Sequence, residues 1–278
     1  MKKKHIPSIL AALFMVAGFI LLFYPDISNI QKSMAYSAIL REYDRMVAQL
    51  TPEQIEHQLH TADMHNTNLS SLSPSRPLLL GHAALLPEDY WQILYVQGLM
   101  AWIDIPVIDV SLPVLHGSEP EVLARGVGHL EGTAFPTGGY GTHSVLTTHS
   151  GMAGTRLFTD LELLEYGDVF FISVLDRRLA YQVDQIRVIL PHEIDWLRVA
   201  PGKDLMTLIT CTPFAINTHR LLVRGTRIPY VAYMADEIPT ITVSTGLQMR
   251  TLLFAGFLAI NLFLWRSRRQ SAVIQQSP

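Results

Sequence analysis

Between Leu99 and Tyr230 the chain runs in short β-type segments, each stopped by proline or glycine, and this pattern narrows the possible folds more than any other. Met100–Ile105, Pro106–Val110 and Leu112–Leu115 are apolar runs broken by Pro106 and Pro113. Glycines then punctuate 126–132 and 138–141, before a Ser144–Thr148 strand that ends in His149–Ser150–Gly151. A helical Leu157–Leu161 segment follows, and then strand-like runs at Val169–Val174, Leu179–Arg187 and Val188–Leu190. Runs this short, rich in β-branched and aromatic residues, cannot be long helices. So many strands with so few helices predict a mainly β domain over 99–235, built as a closed or nearly closed antiparallel barrel.

The two ends of the chain read differently. Ile6 to Tyr24 carries no charge and follows Lys2, Lys3 and Lys4. A helix of that length matches a hydrocarbon core, and lysines before it predict a cytoplasmic N-terminus. Ala35–Tyr36–Ser37 has the small-x-small form of a signal cleavage site but lies too far beyond the apolar run, so 1–27 reads as an uncleaved anchor. Thr251–Trp265 is also uncharged and precedes Arg266, Arg268 and Arg269, placing the C-terminus inside as well. The second span, its linker and its basic tail occupy 236–278.

Residues 28–98 separate the anchor from the β domain. Ile39, Tyr43, Met46, Val47 and Leu50 recur at helical spacing. Thr51–Pro52–Glu53–Gln54 restarts a helix, with Thr51 as N-cap, Pro52 at the first position and Gln54 completing a capping box. These helices are expected to pack on the β domain. Leu69–Leu86, with four serines and two prolines, is expected to be irregular.

The chemistry concentrates in Leu205–Arg227, LMTLITCTPFAINTHRLLVRGTR, which holds Cys211, the only cysteine. Leu208–Thr210 and Leu221–Val223 read as strands around a Thr212–Thr218 loop. One thiol excludes a disulfide framework and any cysteine-based metal site. The histidines show no metal-ligand spacing, so neither metal nor cofactor is expected. The net charge is −3. Setting aside the six positive charges of the two tails leaves −9, which argues against a nucleic-acid partner.

A thiol attacks only as thiolate, so catalysis needs a base or cation close to Cys211. His149 and His219 are the candidate bases, and an acyl-transfer site also needs positive charge for its oxyanion. Side chains alternate along a strand, so only one of His219 and Arg220 can share a face with Cys211. If that one is Arg220, the imidazole comes from His149.

TLITCTPFAINTHRLLVRGTR resembles the active-site segment of sortases, the cysteine transpeptidases of Gram-positive cell surfaces, and its TCTP-x-x-x-NTHRLLVRG form resembles class C, the pilin-polymerising kind. IPVIDVSLPVLHG, GVGHLEGT and LFTDL resemble further landmarks of that family. The resemblance spans about Leu99 to Tyr230 and implies a closed eight-stranded β-barrel with short helices, here preceded by N-terminal helices and flanked by two transmembrane helices. It also implies a catalytic set of His149, Cys211 and Arg220, with Thr210, Ser150 and Asn217 as candidate substrate contacts. Cys211 would cleave an LPXTG-like sorting signal between Thr and Gly and pass the acyl group to a pilin lysine. The implied partners are pilin or surface proteins with C-terminal sorting signals, met by a monomeric enzyme whose catalytic domain lies outside the membrane. Class C enzymes carry a lid with an Asp-Pro-aromatic motif. The nearest match here is Arg76–Pro77–Leu78, with Arg for Asp and Leu for the aromatic.

Other readings keep the same residues. A housekeeping sortase would transfer to the peptide cross-bridge of the cell wall, and a catalytically silent barrel would only bind. A papain-like hydrolase fits poorly, because it needs its cysteine at a helix N-terminus, whereas Cys211 follows a strand.

Overall fold

A computed structural model of the chain describes residues 6–71, 86–151 and 156–230, together with Gly256. The chain divides into two compact units, Met1–Asp26 with Pro239–Pro278, and Ile27–Ile238. The second unit holds the β domain.

Eight strands form a closed barrel in the order β1-β2-β3-β4-β7-β8-β6-β5. They are β1 (Ala101–Ile105), β2 (Val110–His116), β3 (Val127–His129), β4 (Thr142–Thr147), β5 (Val169–Val174), β6 (Arg177–Ile189), β7 (Asp204–Thr212) and β8 (His219–Ile228). β1 pairs with β5 to close the ring. The barrel is mixed, which corrects the all-antiparallel expectation: β2 pairs with β3, and β4 with β7, in parallel. The β4–β7 pairing matters most, because it brings the exits of two distant strands to the same end of the barrel.

Four local expectations also change. Pro106–Ile108 is a 3₁₀ turn rather than a strand, since Pro106 fixes its start and Asp109 turns at φ +52 with its N–H returned to Pro106. Val127–His129, hidden among glycines, is a strand. The two runs Leu179–Arg187 and Val188–Leu190 merge into the single strand Arg177–Ile189, whose register shifts between Val183 and Gln185, where a bulge lets a long strand bend around the barrel. The helical expectation at Leu157–Leu161 is met by turns and a 3₁₀ segment at Leu161–Leu163.

Two α-helices precede the barrel, α1 (Ile6–Val47) and α2 (Pro52–Ser71), and a four-residue α3 (Pro120–Leu123) lies between β2 and β3. The capping box forms as expected: Thr51 N–H donates to Gln54 Oε1 at 2.8 Å and Gln54 N–H donates to Thr51 Oγ1 at 3.2 Å. Tyr43, Val47, Leu59 and Ala62 join the main core. Buried polar groups then fix the helices to the strands. The Leu175 N–H donates to Tyr43 Oη at 2.9 Å, and burial raises that phenol to about 12. Asn66 is buried and mimics a peptide: its Nδ2 donates to Phe135 O and Thr137 Oγ1, and its Oδ1 accepts from Phe135 N–H at 2.8 Å.

Among the described residues no single helix is long and apolar enough to cross a membrane; Phe14–Tyr24 and Ile27–Val47 meet that test only as a pair. The stretch Thr251–Trp265, apart from Gly256, and Arg76, Pro77 and Leu78 lie outside the described residues.

Candidate active site

Strand register decides what stands beside the lone thiol. β4 runs parallel to β7 from Thr142 opposite Asp204 to Thr147 opposite Ile209. The ladder continues past the end of β4: Thr148 N–H donates to Ile209 O at 3.2 Å, and Thr210 Oγ1 donates to Thr148 O at 2.9 Å. His149 is the next residue after this last bonded position, at the end of the barrel where β7 reaches Cys211. On the other side, antiparallel β8 pairs Arg220 directly with Cys211, and His219 with Thr212. Cys211 and Arg220 are therefore direct cross-strand partners, and His149 follows two residues after the end of β4, on the strand that flanks β7 on its other side.

Cross-strand partners share a face, so the choice between His219 and Arg220 falls to Arg220. That face turns away from the main core, which takes Leu146, Met206, Leu208, Leu221 and Val223. Below the pair it carries a smaller apolar cluster of Val145, Ile189, Leu197, Ile209 and Leu222. Cys211 is half-buried and free, and His149 and Arg220 are half-buried as well.

The loop from β7 to β8 holds the guanidinium. Ile216 and Asn217 donate their N–H groups to Pro213 O, and Ala215 and Asn217 turn at φ +64 and +60. This aims the Asn217 carbonyl back at β8, where Arg220 Nη1 donates to it at 3.2 Å and to His219 O at 3.0 Å. The histidine turn is fixed from its own side: Phe158 N–H donates to His149 O at 3.3 Å, and Gly151 N–H donates to Thr159 Oγ1 at 3.1 Å. Thr148 Oγ1 donates to Gly126 O at 2.7 Å, anchoring the strand end beneath.

Two other histidines are structural. His143 is buried between Arg198 O, 2.9 Å from Nδ1, and Thr207 Oγ1, 2.7 Å from Nε2. Burial lowers it to about 4, so it is neutral and pins the β6–β7 connection against the outer face. Leu197 packs there, and Arg187 lies 3.8 Å over the Trp196 ring. His129, lowered by burial to about 3, bridges Tyr90 Oη and Ala134 O.

Of the residues singled out from sequence, Cys211 and Arg220 are paired across β7 and β8, and His149 and Ser150 lie in the turn that follows β4, the other neighbour of β7. Asn217 reaches Arg220 through its carbonyl. Thr210 is buried, and its hydroxyl is committed to Thr148 on the inner side of the sheet. Sequence reasoning passed over Phe214, whose ring lies against Gly151, and His143, which no strand pattern distinguishes from a loop histidine. A polar cavity of about 280 Å³, lined by Asp63, Asn66, Thr137 and Arg177 among others, belongs to the seat of α2 and includes none of His149, Cys211 and Arg220. Among the described residues no three His, Cys, Asp or Glu are grouped to hold a metal. A thiol, an imidazole and a fixed cation at one end of the barrel are the groups that covalent acyl transfer uses.

Comparison with known proteins points the same way. A sortase-domain family model matches residues 103–228. The chain is similar to sortase C of Streptococcus pneumoniae, a structure that bears on pilin substrate specificity, with 38% identity and a TM-score of 0.63 over 70% of this chain and 98% of that one. It is similar to Streptococcus agalactiae sortase C1 at 40% identity and a TM-score of 0.65, again over 70% of this chain and 98% of that one. Among curated relatives it is 28% identical to sortase A of Streptococcus agalactiae over 127 residues, 44% of this chain and half the length of that relative.

Proposed function

This chain belongs to the sortase family, and from that membership we propose that it is an extracytoplasmic, membrane-anchored cysteine transpeptidase that polymerises pilins. The observation that supports the reading is the direct pairing of Cys211 with Arg220 at the end of β7, where the parallel neighbour β4 also ends, two residues before His149. Cys211, as thiolate, attacks the Thr carbonyl of an LPXTG-like sorting signal. The C–S bond forms as the Thr–Gly amide breaks, leaving a thioacyl enzyme and a glycine amine. His149 gives its proton to that amine and later takes one from the incoming nucleophile. Arg220, a fork of donors held by Asn217 O, faces the tetrahedral oxyanion without reorganising. A pilin lysine ε-amine then attacks the thioester, releasing the thiol and forming an isopeptide bond.

Likeness to the class C structures supports the pilin lysine as acceptor. The match to a sortase A favours a second reading, attachment of surface proteins to the cell wall through the same thioacyl step. Incubating the enzyme with purified sorting-signal pilin separates them. A ladder of covalent multimers is expected, whereas single-addition products formed only with a cell-wall cross-bridge peptide would move the function to the second reading. The anchored topology, with both termini inside and Pro25 to about Arg250 outside, belongs to the same proposal. Protease added to intact cells should reach the barrel but neither tail.

A further inference from the structure

The inference builds on the reading of Cys211, His149 and Arg220 as the reacting groups. The loop between β7 and β8 touches both Arg220 and the turn that carries His149. At its far end the Asn217 carbonyl accepts Arg220 Nη1. At its near end the Phe214 ring packs on Gly151, two residues after His149. A Cβ on Gly151 would come within 2.8, 3.1 and 3.2 Å of three ring carbons. Gly151 also sits at φ +75, where other residues are strained. The ring is not there to fill a core, since 59% of Phe214 is exposed. What it has is a close contact with the turn that carries the imidazole, a turn also held by hydrogen bonds with Phe158 and Thr159.

We propose that Phe214 is a positioning residue: by bearing on Gly151 it sets the reach of His149 toward Cys211, so that one loop registers both the imidazole and the guanidinium on the sulfur. Without the ring the histidine turn keeps its bonds to Phe158 and Thr159 but loses its contact at Gly151. A 1 Å misplacement of a reacting group can cost about 100-fold, so the smaller shift from losing this one contact is expected to cost about tenfold.

The test uses the full chain as wild type, Phe214→Ala, Phe214→Tyr, Gly151→Ala and the Phe214→Ala/Gly151→Ala double variant, with an LPXTG peptide as substrate. Phe214→Ala should lower kcat about tenfold with KM within about twofold, and Phe214→Tyr, which keeps the ring, should recover most of the loss. Gly151→Ala alone should also be impaired, and the double variant should lose less than the product of the two, because the clash needs both partners. A rise in KM with kcat unchanged would make Phe214 a substrate contact instead. That result, a tyrosine variant as poor as alanine, or singles that simply multiply would each overturn the proposal. Alkylation of Cys211 by iodoacetamide at pH 7 reads the same geometry without peptide and should slow about threefold in Phe214→Ala; an unchanged rate would also overturn it. If wild type fails to cleave the peptide while alkylation still depends on Phe214, the substrate reading falls and the positioning role stands.

Discussion

Acidification from pH 7.5 to pH 5 should strip about 4 kcal/mol from the stability of the barrel, and two buried histidines set that figure. His129 and His143 are lowered by burial from an ordinary 6.5 to about 3 and about 4. Arg224 helps to lower His143 and Asp184 opposes it, while His116 and His65 both help to lower His129. Below pH 6.5 the unfolded chain protonates both rings and the folded chain protonates neither. The stability present above pH 6.5 is therefore lost as pH falls toward the folded values. At pH 5 the gap is about 1.5 pH units per ring, or about 2 kcal/mol each. The sum is insensitive to the folded values provided that both lie below 5, and it is a large share of a typical 5–15 kcal/mol. His65 and His116, also lowered by burial, add in the same direction, and Asp204, raised by burial, acts in the opposite sense at the acid end. Urea unfolding at pH 7.5, 6 and 5 measures the slope, and His143→Gln and His129→Gln should each reduce it by up to one proton. Stability that is flat within about 1 kcal/mol, or slopes untouched in both variants, would refute the reasoning.

Two further outcomes follow from other contacts. Asn66→Ala leaves the buried N–H and C=O of Phe135 without their side-chain partner, so it should cost about 3 kcal/mol and lower the melting temperature by about 6–12 °C in a thermal scan. Arg220→Lys keeps the charge but cannot hold Asn217 O and an oxyanion together, so peptide cleavage should fall about 100-fold in kcat with folding intact by circular dichroism.

Much of this architecture was legible in the residues, for identifiable reasons. Thr51, Pro52 and Gln54 announced the start of α2 because a capping box is local chemistry, and both of its bonds form. The parity of β8 told that only one of His219 and Arg220 could join Cys211, since alternation is a property of a single strand. The parallel pairing of β4 with β7 was not legible: it joins segments about sixty residues apart, and nothing in either strand encodes its neighbour. Yet that pairing sets the end of β4, just before His149, beside the strand that carries the thiol, so the proposed catalytic assignment leaned on resemblance where local physics stopped. Phe214 escaped notice for a similar reason, because its partner is a glycine that carries no pattern. His129 read as part of a glycine-punctuated turn and is instead a buried neutral ring.

The most direct measurement is intact-mass spectrometry on the chain mixed with an LPXTG peptide, acid-quenched and mapped by proteolysis. The account predicts a thioester-linked LPXT adduct on Cys211, absent from Cys211→Ala and discharged by a pilin lysine peptide. A reactive thiol that never carries the acyl group, or an adduct on another residue, would contradict it.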